Sequence, residues 1–112
     1  MTELLEALHR GDDETVAQLL AKQPQLNVFE AAALGKSDRL RAILAEEPAS
    51  ANDYGDDGFQ PLPLACFYGH VEAARILLEH GADPSIAQGG SEFRAIDAAR
   101  MDGDERLEQL LS

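Results

Sequence analysis

The stretch DGFQPLPLACFYGHVEAARILLEHGADP, residues 57–84, holds the pattern on which the rest of the chain is built. Leu64-Ala65-Cys66 is short and small-residue-rich, and Gly69 follows it. Polar residues come next, then the apolar doublet Leu77-Leu78. This reads as helix, tight turn, helix. The second helix is expected over Glu72–His80. It stops at Gly81, which suits a left-handed C-terminal cap, with Pro84 soon after as a breaker.

The same unit recurs in both directions. Gly11, Gly35, Gly69 and Gly103 sit in matching contexts, spaced 24, 34 and 34 residues apart. The segments before them are Leu5-Glu6-Ala7-Leu8, Glu30-Ala31-Ala32-Ala33, Leu64-Ala65-Cys66 and Ala98-Ala99-Arg100. The doublets after them are Leu19-Leu20, Ile43-Leu44, Leu77-Leu78 and Leu110-Leu111. Leu4, Leu5 and Leu8 share one helical face in segment 3–10, as do Leu107, Leu110 and Leu111 in Asp104–Leu111. Asp12 or Asp13 is expected to cap the second helix, and Ser37 or Asp38 the fourth. Pro24 and Pro48 punctuate the earlier copies as Pro84 does the third. Alanines 31–33, 65, 98 and 99 let the first helices of successive units approach closely at no cost in helix propensity. One pair buries too little alone, so neighbours complete the core. The expectation is a single all-α domain, 1–112, of four helix-turn-helix units at approximately 1–25, 26–56, 57–89 and 90–112. Residues 48–60 and 81–93 form the longer connections, turns or hairpin fingers rather than sheet strands.

Composition narrows the function. The chain has 112 residues with 21 acidic and 9 basic ones, a net charge of −12. That argues against nucleic acid, whose phosphates need Lys and Arg to displace counterions, and against anionic membrane surfaces. The charge is spread over every unit, so no basic patch hides in the total. A 45% hydrophobic fraction excludes a disordered acidic tail. Cys66 is alone, which rules out an internal disulfide and a thiolate-rich zinc site. Without a basic n-region after Met1-Thr2-Glu3, or an apolar run of membrane-spanning length, the expectation is a soluble, reduced, cytoplasmic protein.

Residues 57–72 resemble the opening of an ankyrin repeat, and residues 73–84, ending Gly81-Ala82-Asp83-Pro84, continue it to its close. The family's Thr-Pro-Leu-His turn stands here as Gln60-Pro61-Leu62-Pro63, which implies loss of the hydroxyl and imidazole bonds that usually brace it. Ala95–Arg100 looks like a terminal ankyrin variant. Residues 3–34 look like a capping unit whose finger is deleted. The tetratricopeptide repeat shares the 34-residue period but lacks the Gly-Ala-Asp-Pro ending and the long polar connectors. The resemblance implies an ankyrin-like solenoid acting as a binding scaffold with no chemistry of its own, hence no cofactor.

Other residues that could do chemistry read as structural. Asp53, Asp56 and Asp57 cluster with Gly55 and Gly58, but a calcium loop starting at Asp53 would place Gly55 third and Leu64 twelfth, both wrong for an EF-hand. His9, His70 and His80 lack a two-ligand helix spacing, and a protonated His80 complements its helix dipole. Cys66, between Ala65 and Phe67, has no electropositive neighbour to make it a nucleophile. Gly35-Lys36-Ser37 imitates the end of a P-loop, but the earlier glycine would fall at Glu30. Neither a metal site nor an enzyme is expected.

In an ankyrin-like frame, partners meet the finger tips and the two residues before each repeat glycine. Phe59, Phe67, Tyr68 and Phe93, with Leu34 and Met101, occupy such positions, ringed by Asp56, Asp57 and Asp102. These residues either anchor a partner or shield the small core. The acidic rim implies a protein partner that is basic around an apolar centre. A second reading follows from Leu110-Leu111-Ser112: a self-associating regulatory module, possible as a homodimer, packing through its terminal repeats.

Overall fold

The computed structural model describes residues 2–22, 24–55, 58–85 and 94–111. Among them eight α-helices and no strand occur: α1 Glu3–Arg10, α2 Asp13–Ala21, α3 Val28–Leu34, α4 Ser37–Glu46, α5 Pro61–Phe67, α6 Val71–Glu79, α7 Ala95–Asp102 and α8 Glu105–Leu111. They pair in order. The inner row α1, α3, α5, α7 packs side by side, and α4, α6 and α8 form a second row behind it. The all-α, helix-turn-helix solenoid is therefore what the repeats build.

Local chemistry sets the helix starts. Asp12 caps α2 by accepting from the Thr15 amide at 3.1 Å and the Thr15 hydroxyl at 2.6 Å. Asn27 and Glu30 form a reciprocal capping box at α3. The expectation for α4 needs correction: neither Ser37 nor Asp38 caps it. Its cap position is Lys36, which makes no side-chain cap bond. Gly35 turns the chain in the left-handed region, with the Ser37 amide bonded back to the Gly35 carbonyl at 3.0 Å. The residue right after the glycine becomes the cap, as with Asp12 after Gly11 and His70 after Gly69. The third outer helix also starts and ends one residue earlier than expected, at Val71 and Glu79.

The first long connection is more ordered than a plain finger. Pro48–Asn52 is a 3-10 helix. Beyond it the Gly55 amide donates to the Phe59 carbonyl at 2.9 Å and closes the finger base. Gln60 takes over the bracing role of the replaced threonine: it is 2% exposed, and its amide donates to the Asn52 carbonyl at 3.0 Å. Asn52 in turn donates to the Gly81 carbonyl at 2.8 Å and accepts from the Asp83 amide at 3.0 Å. Two side-chain amides thus tie consecutive units at their finger bases.

The main core runs from α3 to α8. Ala31, Ala32, Ala65, Cys66, Ala98 and Ala99 are each fully buried between inner helices. Leu40, Leu44, Ile76, Leu77 and Leu107 fill the space behind them. A smaller cluster of Leu5, Ala33 and Leu64 lies beside it and is covered by Leu8, Phe29, Phe59 and Tyr68.

Gly35 has a second constraint. A Cβ there would lie 2.5 Å from the His70 ring of the next unit, whereas one at Gly11 would meet nothing. Both glycines have positive φ, 69° and 74°. Gly11→Ala is expected to cost about 1 kcal/mol from backbone strain alone, and Gly35→Ala about 2 kcal/mol or more because the imidazole must also move. Urea midpoints of the two variants check the order. Equal losses would show that the His70 contact adds nothing.

Candidate partner-binding face

The residues singled out along the inner row divide in two. Leu34, at the end of α3, is half-buried. Phe59 and Tyr68 are also half-buried and lie on the Leu5–Ala33–Leu64 cluster. Tyr68 stacks on His9, with centroids 5.6 Å apart and planes at 22°, and its hydroxyl is hydrogen-bonded to His9 Nδ1. These rings shield the core.

Phe67, Met101 and Asp102 face outward instead. Phe67 is 41% exposed and Met101 65% exposed. They stand 34 residues apart, at the same register of neighbouring helices α5 and α7. The third member of that register is Ala33, which is buried. Phe67 meets Tyr68 edge-on at 4.9 Å and 84°, which holds its ring against the surface. Asp102 is exposed, and its carboxylate also lies against Gly69, where a Cβ would come within 2.8 Å of Oδ1. Tyr54 is 58% exposed on the finger. Asp56, Asp57 and Phe93 lie outside the described residues.

Sequence reasoning missed the His9–Tyr68 pair. It joins the first unit to the third across 59 residues. The one available signal is the short 24-residue step between Gly11 and Gly35, which omits a finger.

Titration follows burial. Cys66 is fully buried, and desolvation, with the Asp102 carboxylate second, pushes its thiol from the ordinary 9.0 to about 12. That is the opposite of an activated nucleophile. Desolvation likewise raises Tyr68 from 10.0 to about 12. Burial lowers His70 below 6.5, against the pull of a hydrogen bond to the Ala33 carbonyl and of Asp102. Asp12, Asp83 and Asp104 are each held low by bonds from residues two or three positions on. Among the described residues no three His, Cys, Asp or Glu side chains converge on a point that could hold a metal ion, and no helix is long and apolar enough to cross a membrane.

A stack of helix pairs turning on left-handed glycines, with side-chain ties between units, defines a repeat solenoid. Residues 4–88 match the family model described as ankyrin repeats (3 copies), and the chain belongs to the ankyrin-repeat family. Such repeats generally mediate protein–protein interaction. The chain is 38% identical over 77 residues to the human DNA-binding protein RFXANK, covering 69% of this chain and 29% of that protein. It is 33% identical over 84 residues to ankyrin repeat family A protein 2 of Bos taurus, covering 75% and 26%. It is 35% identical over 81 residues to the human NAD-capped RNA hydrolase NUDT12, covering 72% of this chain and 17% of the hydrolase. The chain thus spans less than a third of these relatives' own lengths.

Stability should fall at both ends of the pH range for different reasons. Cys66 and Tyr68 have folded pKa values raised above their unfolded ones. Their neutral forms stabilise the fold fully below about pH 9, and this is lost as pH rises towards 12. His70 is lowered, so its contribution is present above about pH 6.5 and lost as pH falls through its folded value. Melting temperature against pH is expected to show a flatter alkaline limb in Cys66→Ala and a flatter acid limb below about pH 6.5 in His70→Gln. Parallel profiles in parent and variants would contradict this.

Proposed function

We propose that the chain is a non-catalytic scaffold that binds a protein partner on its inner-helix and finger face. The row of Phe67 and Met101 carries the reading: two large apolar side chains, both exposed, at the same register of the neighbouring inner helices α5 and α7. Such a row is an anchor for a complementary apolar centre. Asp102 beside it, and Asp56 and Asp57 by position in the sequence, favour basic residues around that centre. Tyr68 meets Phe67 edge-on and braces the row, and Leu34, Phe59 and Phe93 belong to the same face by their places in the repeat. The carboxylate excess disfavours nucleic acid as the partner, and the buried, protonated Cys66 suits a reducing, cytoplasmic setting.

Self-association has its own support, at the first unit. α2 buries no residue fully, leaving Val16, Leu19 and Leu20 half-exposed. Leu110 and Leu111, by contrast, pack on the main core. Size-exclusion with light scattering tests this reading, and a strict monomer at every concentration counts against it.

The scaffold reading is tested by capture from the native host followed by mass spectrometry. Phe67→Ala and Met101→Ala are each expected to weaken capture of a specific partner about tenfold or more, the size of an interface hot spot. The unfolding midpoint should barely move for Met101→Ala, whose side chain is 65% exposed, and should fall modestly for Phe67→Ala, whose ring packs edge-on against Tyr68. Unchanged capture by the folded double variant would sink the proposal.

A further inference from the structure

The outer helices carry a charge register with one reversed position. Asp38, Glu72 and Arg106 are 34 residues apart in succession, as are Arg41, Arg75 and Gln109. Between α4 and α6 the register forms an ion-pair ladder. Arg41 Nη2 reaches Glu72 Oε1 at 2.8 Å across the units, and Arg75 Nη1 reaches Glu72 Oε2 at 2.8 Å within its own. The next step would set Arg75 against a carboxylate at position 106, and arginine stands there instead. Arg106 turns back on Asp104, with Nη2–Oδ2 at 2.9 Å and Nε–Oδ1 at 3.2 Å.

At the interrupted step lies an open groove of about 550 Å³ lined by Val71, Glu72, Arg75, Arg106, Gln109 and Leu110. Val71 and Leu110 are half-buried and give it an apolar lining, with Arg75 and Arg106 beside them. Arg75 uses one N–H group on Glu72 and Arg106 uses two on Asp104. Each guanidinium has five donors, so both keep N–H groups beyond these bonds. Glu72 and Asp104 offset part of the charge of these two arginines, so the attraction for an incoming carboxylate rests on the remaining N–H donors, whose fork geometry matches it.

We propose that the groove between α6 and α8 is a second interaction surface, separate from the inner face, and that it takes an acidic segment of a protein partner. The segment presents a carboxylate to Arg75 and Arg106 and an aliphatic side chain, one helical turn away, to Val71 and Leu110. A nucleic acid is disfavoured because two guanidiniums on a chain of net charge −12 cannot offset a polyanion. A free phosphate is disfavoured because the groove is open and half apolar.

The test is a nuclear magnetic resonance titration of the whole chain with a synthetic helical peptide. The peptide bears one glutamate and one leucine a turn apart in an alanine and glutamine background; a control peptide has glutamine for the glutamate. The glutamate peptide is expected to shift Val71, Arg75, Arg106 and Leu110 saturably, and the control not to. Arg106→Glu should weaken binding about tenfold or more, as for a lost charge-assisted pair. The same variant restores the ladder's sign pattern, so it should melt no lower than the parent; Arg106→Gln gives an independent removal of the charge. Phe67→Ala should bind the peptide as the parent does, which separates this surface from the inner face. Absence of saturable shifts, equal binding of the two peptides, or loss of binding in Phe67→Ala overturns the proposal. So does self-association that Arg106→Glu abolishes, since the occupant is then a second copy.

Discussion

The inner helices meet through alanine, and the rest of the molecule follows from that contact. Ala31, Ala32, Ala65, Ala98 and Ala99 carry almost no accessible surface. With mostly methyl groups and the Cys66 thiol between them, α3, α5 and α7 approach closely, and no main-chain ladder is needed to join the units. The spacing so set decides what happens to any larger side chain in the row. Ala33 fits and is buried, while Phe67 and Met101 at the same register emerge on the surface. The exposed pair proposed to meet a partner is thus the overflow of a packing rule.

A second constraint closes the first half of the face. The 24-residue step to Gly35 is ten residues shorter than the later ones. α1 lies against α3, and His9 comes within reach of Tyr68 two units on. Phe29, Phe59 and Tyr68 then cover Leu5, Ala33 and Leu64. The aromatic residues of the inner row therefore split: Phe29, Phe59 and Tyr68 serve the core, while Phe67 beside Tyr68 faces water. On the outer side the same 34-residue repeat sets Arg41 and Arg75 on Glu72, and where the sign reverses at Arg106 the helices α6 and α8 line a groove instead of sharing such a bridge.

Much of the fold was legible in the chain because the repeat is written in residue types with strong local meaning. Glycine after each inner helix, an apolar doublet after each turn and Gly81 before Pro84 located the helices to within a residue or two. The ankyrin resemblance rested on the same residues. The cap at α4 was misread because Ser37 and Asp38 are good capping residues by type, whereas the left-handed turn at Gly35 gives the cap position to Lys36. That Gln60 would itself be buried and bonded to Asn52 depends on a 3-10 helix that a polar connector does not announce.

The candidate face was legible as a set of positions and not as a surface. Sequence alone determined which residues occupy equivalent places in each unit, because register is a matter of counting, and it determined the sign of the charge around them. Only the tertiary structure decided that Phe59 and Tyr68 turn to the core while Phe67 and Met101 remain in water. It alone set Glu72 between two arginines and left Arg75 and Arg106 lining one groove. The physical reason is that exposure depends on the distance between neighbouring helices. That distance is set by side chains from several units at once, and no single stretch of chain contains it.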